Sequence, residues 1–131
     1  MRALDTNVLV RFVTNDDVGQ AAAVELLFAE CHHNRERLFI STPVICELFW
    51  VLKNGFRQAR TETVKVIEGL IEDNLFQIEH ELPVFRALDQ YRRGKADFAD
   101  YLIGQLGSDA GCRDTITFDK ALKGSPGFTI L

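Results

Sequence analysis

Asp5, Glu47, Asp100 and Asp119 are acidic residues set in apolar sequence. Asp5 follows Ala3-Leu4, and Glu47 interrupts the run from Val44 to Leu52. Asp100 lies between Phe98-Ala99 and Tyr101-Leu102-Ile103, and Asp119 follows Ile116-Thr117-Phe118. Burying an unpaired charge is costly, so carboxylates in such surroundings call for a reason. If they converge, they repel: at ~5 Å and an effective dielectric of ~20, each like-charged pair costs roughly 3 kcal/mol. Several such pairs stay ionised together only around a cation, and hard oxygen ligands suit magnesium, with manganese as a substitute. The characteristic use of such a centre is attack of water on a phosphodiester. On this reading Asp5 and Asp119 ligate the metal directly. Glu47 and Asp100 ligate through water or orient the attacking water, and Asp100 is counted with Asp5 and Asp119 in the metal set.

Chemistry of this kind needs elements that carry the acids to one edge. A short strand through Ala3 and Leu4 is expected to break into a helix near Thr6-Asn7. Thr14-Asn15-Asp16-Asp17 reads as a turn and cap. The next helix is predicted to turn Ala22, Ala23, Leu26, Leu27 and Cys31 inward. Leu38 to Ile40 reads as a buried strand. Thr42 then caps a helix with Pro43 in its first turn, ending at Gly55. Thr61 is expected to cap a helix carrying Val64, Ile67, Leu70 and Ile71. Leu75 to Ile78 reads as a strand, and Pro83 as the start of a helix through Phe85, Leu88 and Tyr91. Arg92-Arg93-Gly94-Lys95 reads as an exposed basic turn, and Asp97 as the cap of a helix ending near Gly107 to Gly111. Thr115 to Phe118 and Phe128 to Leu131 complete the strands. Alternating strands and helices predict an α/β fold with a largely parallel sheet, whose ligands bind beyond the carboxyl ends of the strands. Asp5 and Asp119 both stand at such ends.

The composition sets bounds. A chain of 131 residues, 47% of them hydrophobic, suits one folded domain, residues 1–131. Fifteen Lys and Arg against 19 Asp and Glu give a net charge of −4, which disfavours passive nucleic-acid binding by the whole surface. It does not disfavour a metal centre, since a bound cation reverses the local field. Cys31, Cys46 and Cys112 are odd in number and scattered, so neither a disulfide framework nor a zinc site is expected. With no signal peptide and no apolar run near the ~20 residues of a membrane span, a soluble, cytoplasmic protein is expected.

Taken in order, Asp5-Thr6-Asn7, Glu47 in an apolar helix, Ala96-Asp97-Phe98-Ala99-Asp100 and Thr117-Phe118-Asp119 resemble the successive motifs of the PIN-domain family, and the length resembles its VapC-type toxins. The likeness covers essentially the whole chain. It implies a three-layer α/β/α sandwich and magnesium-dependent endoribonuclease activity on tRNA or other structured RNA. It also implies a homodimer and inhibition by a small antitoxin protein. Carried over, Asp5, Glu47, Asp100 and Asp119 match the four family acids, and Thr6 and Thr117 the hydroxyl residues that accompany the first and last.

Plainer readings stand beside these. Asp5 is also a favoured helix cap, and Glu47 a candidate solvent-facing residue, although Val44 and Val51 at helical spacing argue against that. Asp97 reads as cap or site, with Asp100 in capping-box position. Asp119 is also a candidate turn residue. Asn15, Asp16 and Asp17 read as capping, and His32-His33 as solvated residues at a helix end. Arg92, Arg93 and Lys95, with Arg86, are candidate RNA-phosphate contacts; Lys53, Arg57 and Arg60 form a second patch. Phe49 and Trp50 cannot face the same way, so one packs inward and the other is left for a partner surface. A haloacid dehalogenase-type phosphatase needs an Asp where Asn7 stands, and a receiver domain needs an acidic pair before its phosphorylated Asp. The remaining rival is a catalytically silent PIN-fold module that binds RNA or protein.

Overall fold

The computed structural model describes residues 1–131 as two compact units, Met1–Glu79 and His80–Leu131. In the first, β1 (Arg2–Ala3), β2 (Leu38–Ile40) and β3 (Phe76–Ile78) form a parallel sheet in sequential order. Leu38 pairs with Arg2 on one side and Phe76 on the other. Helices α1 (Thr6–Thr14) and α2 (Val18–His33) connect β1 to β2, and α3 (Thr42–Asn54) and α4 (Arg60–Glu72) connect β2 to β3. Crossovers between parallel strands are right-handed, so two successive ones in sequential strand order place their helices on the same face. The packing agrees: α1 lies against both α2 and α3, and α3 against α4.

That face carries the core of the unit. Leu38, Ile40, Phe76 and Ile78 are buried, whereas Phe39 and Gln77, between them in the pleat, are only half-buried. Phe28 of α2 meets Phe12 of α1 and Phe76 edge-on, with ring centroids 4.9 and 5.4 Å apart. The cluster corrects the predicted face of α2. Its buried residues are Ala21, Val24, Phe28 and Cys31, while Ala22 and Ala23 are exposed and Leu26 is 73% exposed. Apolar residues surround this helix, so periodicity did not single out a stripe, and the large Phe28 ring decides which one turns inward.

Helix starts also differ from expectation. Asp17 caps α2 by accepting the Gln20 N–H at 3.0 Å, as predicted. Ser41, not Thr42, occupies the cap position of α3, and the Thr42 N–H donates to Glu79 Oε2 at 2.7 Å. A carboxylate 37 residues away does the work expected of a local hydroxyl. Ala59, not Thr61, precedes α4.

In the second unit α5 (Glu81–Arg93) packs on α6 (Phe98–Asp109), and β4 (Thr115–Thr117) pairs in parallel with β5 (Phe128–Ile130). Val84, Ala87, Leu88 and Tyr91 are buried on α5, and Phe98, Tyr101 and Leu102 on α6. Tyr91 and Phe98 meet edge-on at 6.2 Å. Phe85 is 56% exposed, because the inner stripe runs through its neighbour Val84. Every strand pairing in the molecule is parallel, as expected. No helix is long and apolar enough to cross a membrane.

Candidate active site

Asp5 leaves the end of β1 in extended conformation and occupies the cap position of α1, yet its side chain makes no capping bond. The plain capping reading therefore fails, and the carboxylate is exposed at the carboxyl end of a parallel strand. Thr6, next in the chain, is only 5% exposed. Its hydroxyl donates to Glu47 Oε2 at 2.6 Å, linking the first turn of α1 to the middle of α3. A short bond to a carboxylate is among the stronger hydrogen bonds of a folded chain. Asn7 is exposed on α1.

Glu47 is exposed as well, against the expectation from its apolar neighbours. Val44, Ile45, Leu48, Phe49 and Leu52 are buried on the inner side of α3. The run is apolar over more than half the helix circumference, and Glu47 occupies part of the remainder. Phe49 is buried and Trp50 is 67% exposed, the division predicted for adjacent helix positions. Cys46 is half-buried and burial pushes its thiol pKa up, which makes it a poor nucleophile.

The second unit gathers the other acids. Asp97 and Asp100 form a capping box at the start of α6, in which the Asp97 N–H donates to Asp100 Oδ2 at 3.2 Å. Asp100 is half-buried, and its pKa is raised. Burial raises it most; the Asp97 N–H draws it partly back, and the charges of Asp119 and Asp97 push it up again. Asp119 is therefore near enough for its charge to be felt at Asp100. Asp119 also does what the plain reading assigned it: Oδ1 accepts the Ala121 N–H at 2.9 Å, capping the 3₁₀ turn Lys120–Leu122. Thr117 Oγ1 accepts the Asp119 N–H at 3.0 Å, fixing the chain as it leaves β4. Capping leaves each of these carboxylates further lone pairs.

The predicted basic turn is in part helix: Arg92 and Arg93 form the end of α5, and Gly94 follows it. Arg92 and Arg93 reach Asp89 one turn back, at 3.9 and 3.3 Å, while Lys95 is exposed. Exposed pairs of this kind are weak. Glu79 was not singled out from the sequence; an acid directly after β3 was the available signal, and it caps the helix that carries Glu47.

Within neither unit do three His, Cys, Asp or Glu side chains stand together as a ready-made metal cage. The donor chemistry nonetheless fits a hard cation. In the first unit Asp5 offers an exposed carboxylate not used as a cap; in the second, Asp100 has its pKa raised mainly by burial and further by the charges of Asp119 and Asp97.

The chain is similar to known proteins along nearly its whole length. It is 28% identical over 123 residues to the VapC ribonuclease of Aquifex aeolicus (strain VF5), an alignment covering 94% of this chain and 90% of that protein. The sequence pattern of the PIN domain matches residues 2–124, so the chain, with its parallel α/β architecture and its acids in the family's order, belongs to the PIN-domain family.

Proposed function

We propose that this protein is a metal-dependent endoribonuclease, the toxin of a toxin–antitoxin pair, with residues 1–131 acting as one PIN domain. The observation that carries the reading is the Thr6–Glu47 hydrogen bond, which holds one motif acid on another motif's helix at 2.6 Å. Membership of the PIN family and similarity to a VapC ribonuclease support it. Asp5, Asp100 and Asp119 would hold a divalent cation, magnesium or in its place manganese. When bound, such an ion lowers the pKa of water and neutralises charge developing on the phosphate.

The chain's own residues do the remainder. Glu47, kept in one orientation by Thr6, accepts the proton of the attacking water. The water oxygen forms a bond to phosphorus as the ester P–O bond breaks, and the leaving oxygen takes up a proton. Asp97 fixes the start of α6 and with it Asp100. Arg92, Arg93 and Lys95 lie on an exposed surface suited to RNA phosphates. The RNA is read as tRNA or another structured RNA, the partners as a second copy of this chain and a small antitoxin, and the location as the cytoplasm.

The test is cleavage of total small RNA by the purified chain with magnesium, with chelator, and as Asp5→Asn. Discrete cuts that need magnesium and disappear in Asp5→Asn are expected. The variant's metal-free fold should be as stable as wild type or more so, because a like charge has been removed. Cutting that survives in Asp5→Asn, or no cutting by the wild type freed of any co-purified partner, overturns the proposal.

A further inference from the structure

Gly94 ends α5 in an extended conformation (φ −99°, ψ −170°) that any residue adopts. Its lack of a side chain answers to space instead. A Cβ built there would lie 1.8 Å from Tyr101 Oη and 2.7 Å from Tyr101 Cζ. The Tyr101 phenol, 1% exposed, thus rests directly on the backbone of Gly94. Two residues on, the Ala96 N–H donates to Tyr101 Oη at 3.3 Å. The far side of the ring meets Phe128 of β5 edge-on at 6.4 Å. Phe128 in turn lies against a second glycine, Gly104 of α6: a Cβ there would come within 2.5 Å of Phe128 Cζ.

The segment gripped in this way leads straight into Asp97, whose backbone N–H is bound to Asp100. A residue of α6 therefore reaches back past the start of its own helix and pins the strand of chain that delivers the capping box. Nothing about a tyrosine four positions after Asp97 requires this; an ordinary core ring would need no acceptor at its tip and no glycine beneath it. The phenol oxygen also accepts from a buried N–H, a bond that a phenylalanine would not make.

We infer that Tyr101 is a positioning residue for the Asp97–Asp100 pair, acting through the Ala96 N–H, and that Gly94 is required to admit its phenol. The inference rests on the proposed nuclease reading for its consequence, since Asp100 is there assigned to the metal. Tyr101 touches neither substrate nor ion; it fixes the backbone that aims a ligand. Removing support of that kind characteristically weakens metal binding or activity by about 10- to 100-fold.

The experiment titrates the full chain with Mn²⁺ by calorimetry, wild type against Tyr101→Phe, and follows RNA cleavage and chelator-treated thermal melting alongside. Tyr101→Phe keeps the ring and its packing on Phe128 and loses only the acceptor. The expected result is Mn²⁺ binding about tenfold weaker, with kcat reduced to a similar extent and KM for RNA unchanged. Gly94→Ala should move Mn²⁺ affinity in the same direction and further. A Tyr101→Phe chain that melts earlier yet binds Mn²⁺ as the wild type does overturns the inference, because the tyrosine is then only packing. A wild type that binds no Mn²⁺ overturns it too. A wild type that binds Mn²⁺ but cuts no RNA removes the nuclease reading alone, and the Mn²⁺ comparison still decides the role of Tyr101.

Discussion

The two units hold their acids in opposite ways. In the first, Glu47 is bound by a neutral donor, the buried Thr6 hydroxyl, and projects into solvent. In the second, Asp97, Asp100 and Asp119 are held by backbone N–H groups, and burial, with the charges of Asp119 and Asp97 added, raises the pKa of Asp100. A carboxylate that accepts a short hydrogen bond is fixed in direction, which suits a proton acceptor. Carboxylates that are crowded and partly buried are poised to bind a cation, which stabilises the charge their neighbours oppose. On the proposed reading Glu47 is the base, and Asp100 and Asp119 carry charge that would hold metal.

The comparison is broken most directly at its ends. Glu47→Gln preserves shape and an acceptor for Thr6 but removes the base. Cleavage should fall by roughly 10²–10⁴-fold, the usual worth of general base catalysis, with little change in Mn²⁺ affinity. A loss of Mn²⁺ binding as large as that of Asp119→Asn would place Glu47 among the ligands instead. A smaller effect is expected from Thr6→Val, which keeps the buried shape and removes the donor. Glu47 then samples several rotamers, and kcat should fall about tenfold, the lower end of what loss of a supporting bond causes. Unchanged kinetics in that variant would mean Glu47 needs no orienting.

The smallest effect concerns stability. Because the pKa of Asp100 is raised in the folded chain, the native state binds its proton more tightly than the unfolded one does. Its contribution is thus most favourable below the ordinary aspartate pKa of about 4 and is lost as pH rises through the raised value. Asp100→Asn removes that penalty while keeping an acceptor for the Asp97 N–H. Thermal melts in chelator should show the variant gaining on wild type between acidic and neutral pH. A gain that is the same at both ends of the range would point to packing rather than charge.

Much of this was legible in the chain. The acids declared themselves by standing alone in apolar sequence, and the order of their motifs carried the family. Strands and helices were placed by short apolar runs and by local caps such as Asp17, whose partner lies three residues away. What failed to read locally was decided at a distance. The inward face of α2 went to the stripe bearing Phe28, because that ring packs with Phe12 and Phe76, residues from α1 and β3. The start of α3 is stabilised by Glu79 rather than by a hydroxyl of its own, and an apolar neighbourhood did not bury Glu47, because a helix has a circumference and a sequence does not.

Sequence alone determined which residue types were present to do chemistry, their order along the chain and the parallel α/β plan, since these follow from residue identity, spacing and periodicity. Tertiary structure alone decided that Thr6 bonds Glu47 across 41 residues, that Asp119 acts on Asp100, and that Tyr101 needs a glycine beneath it. Each of these depends on nearness in space, which separation along the chain does not report.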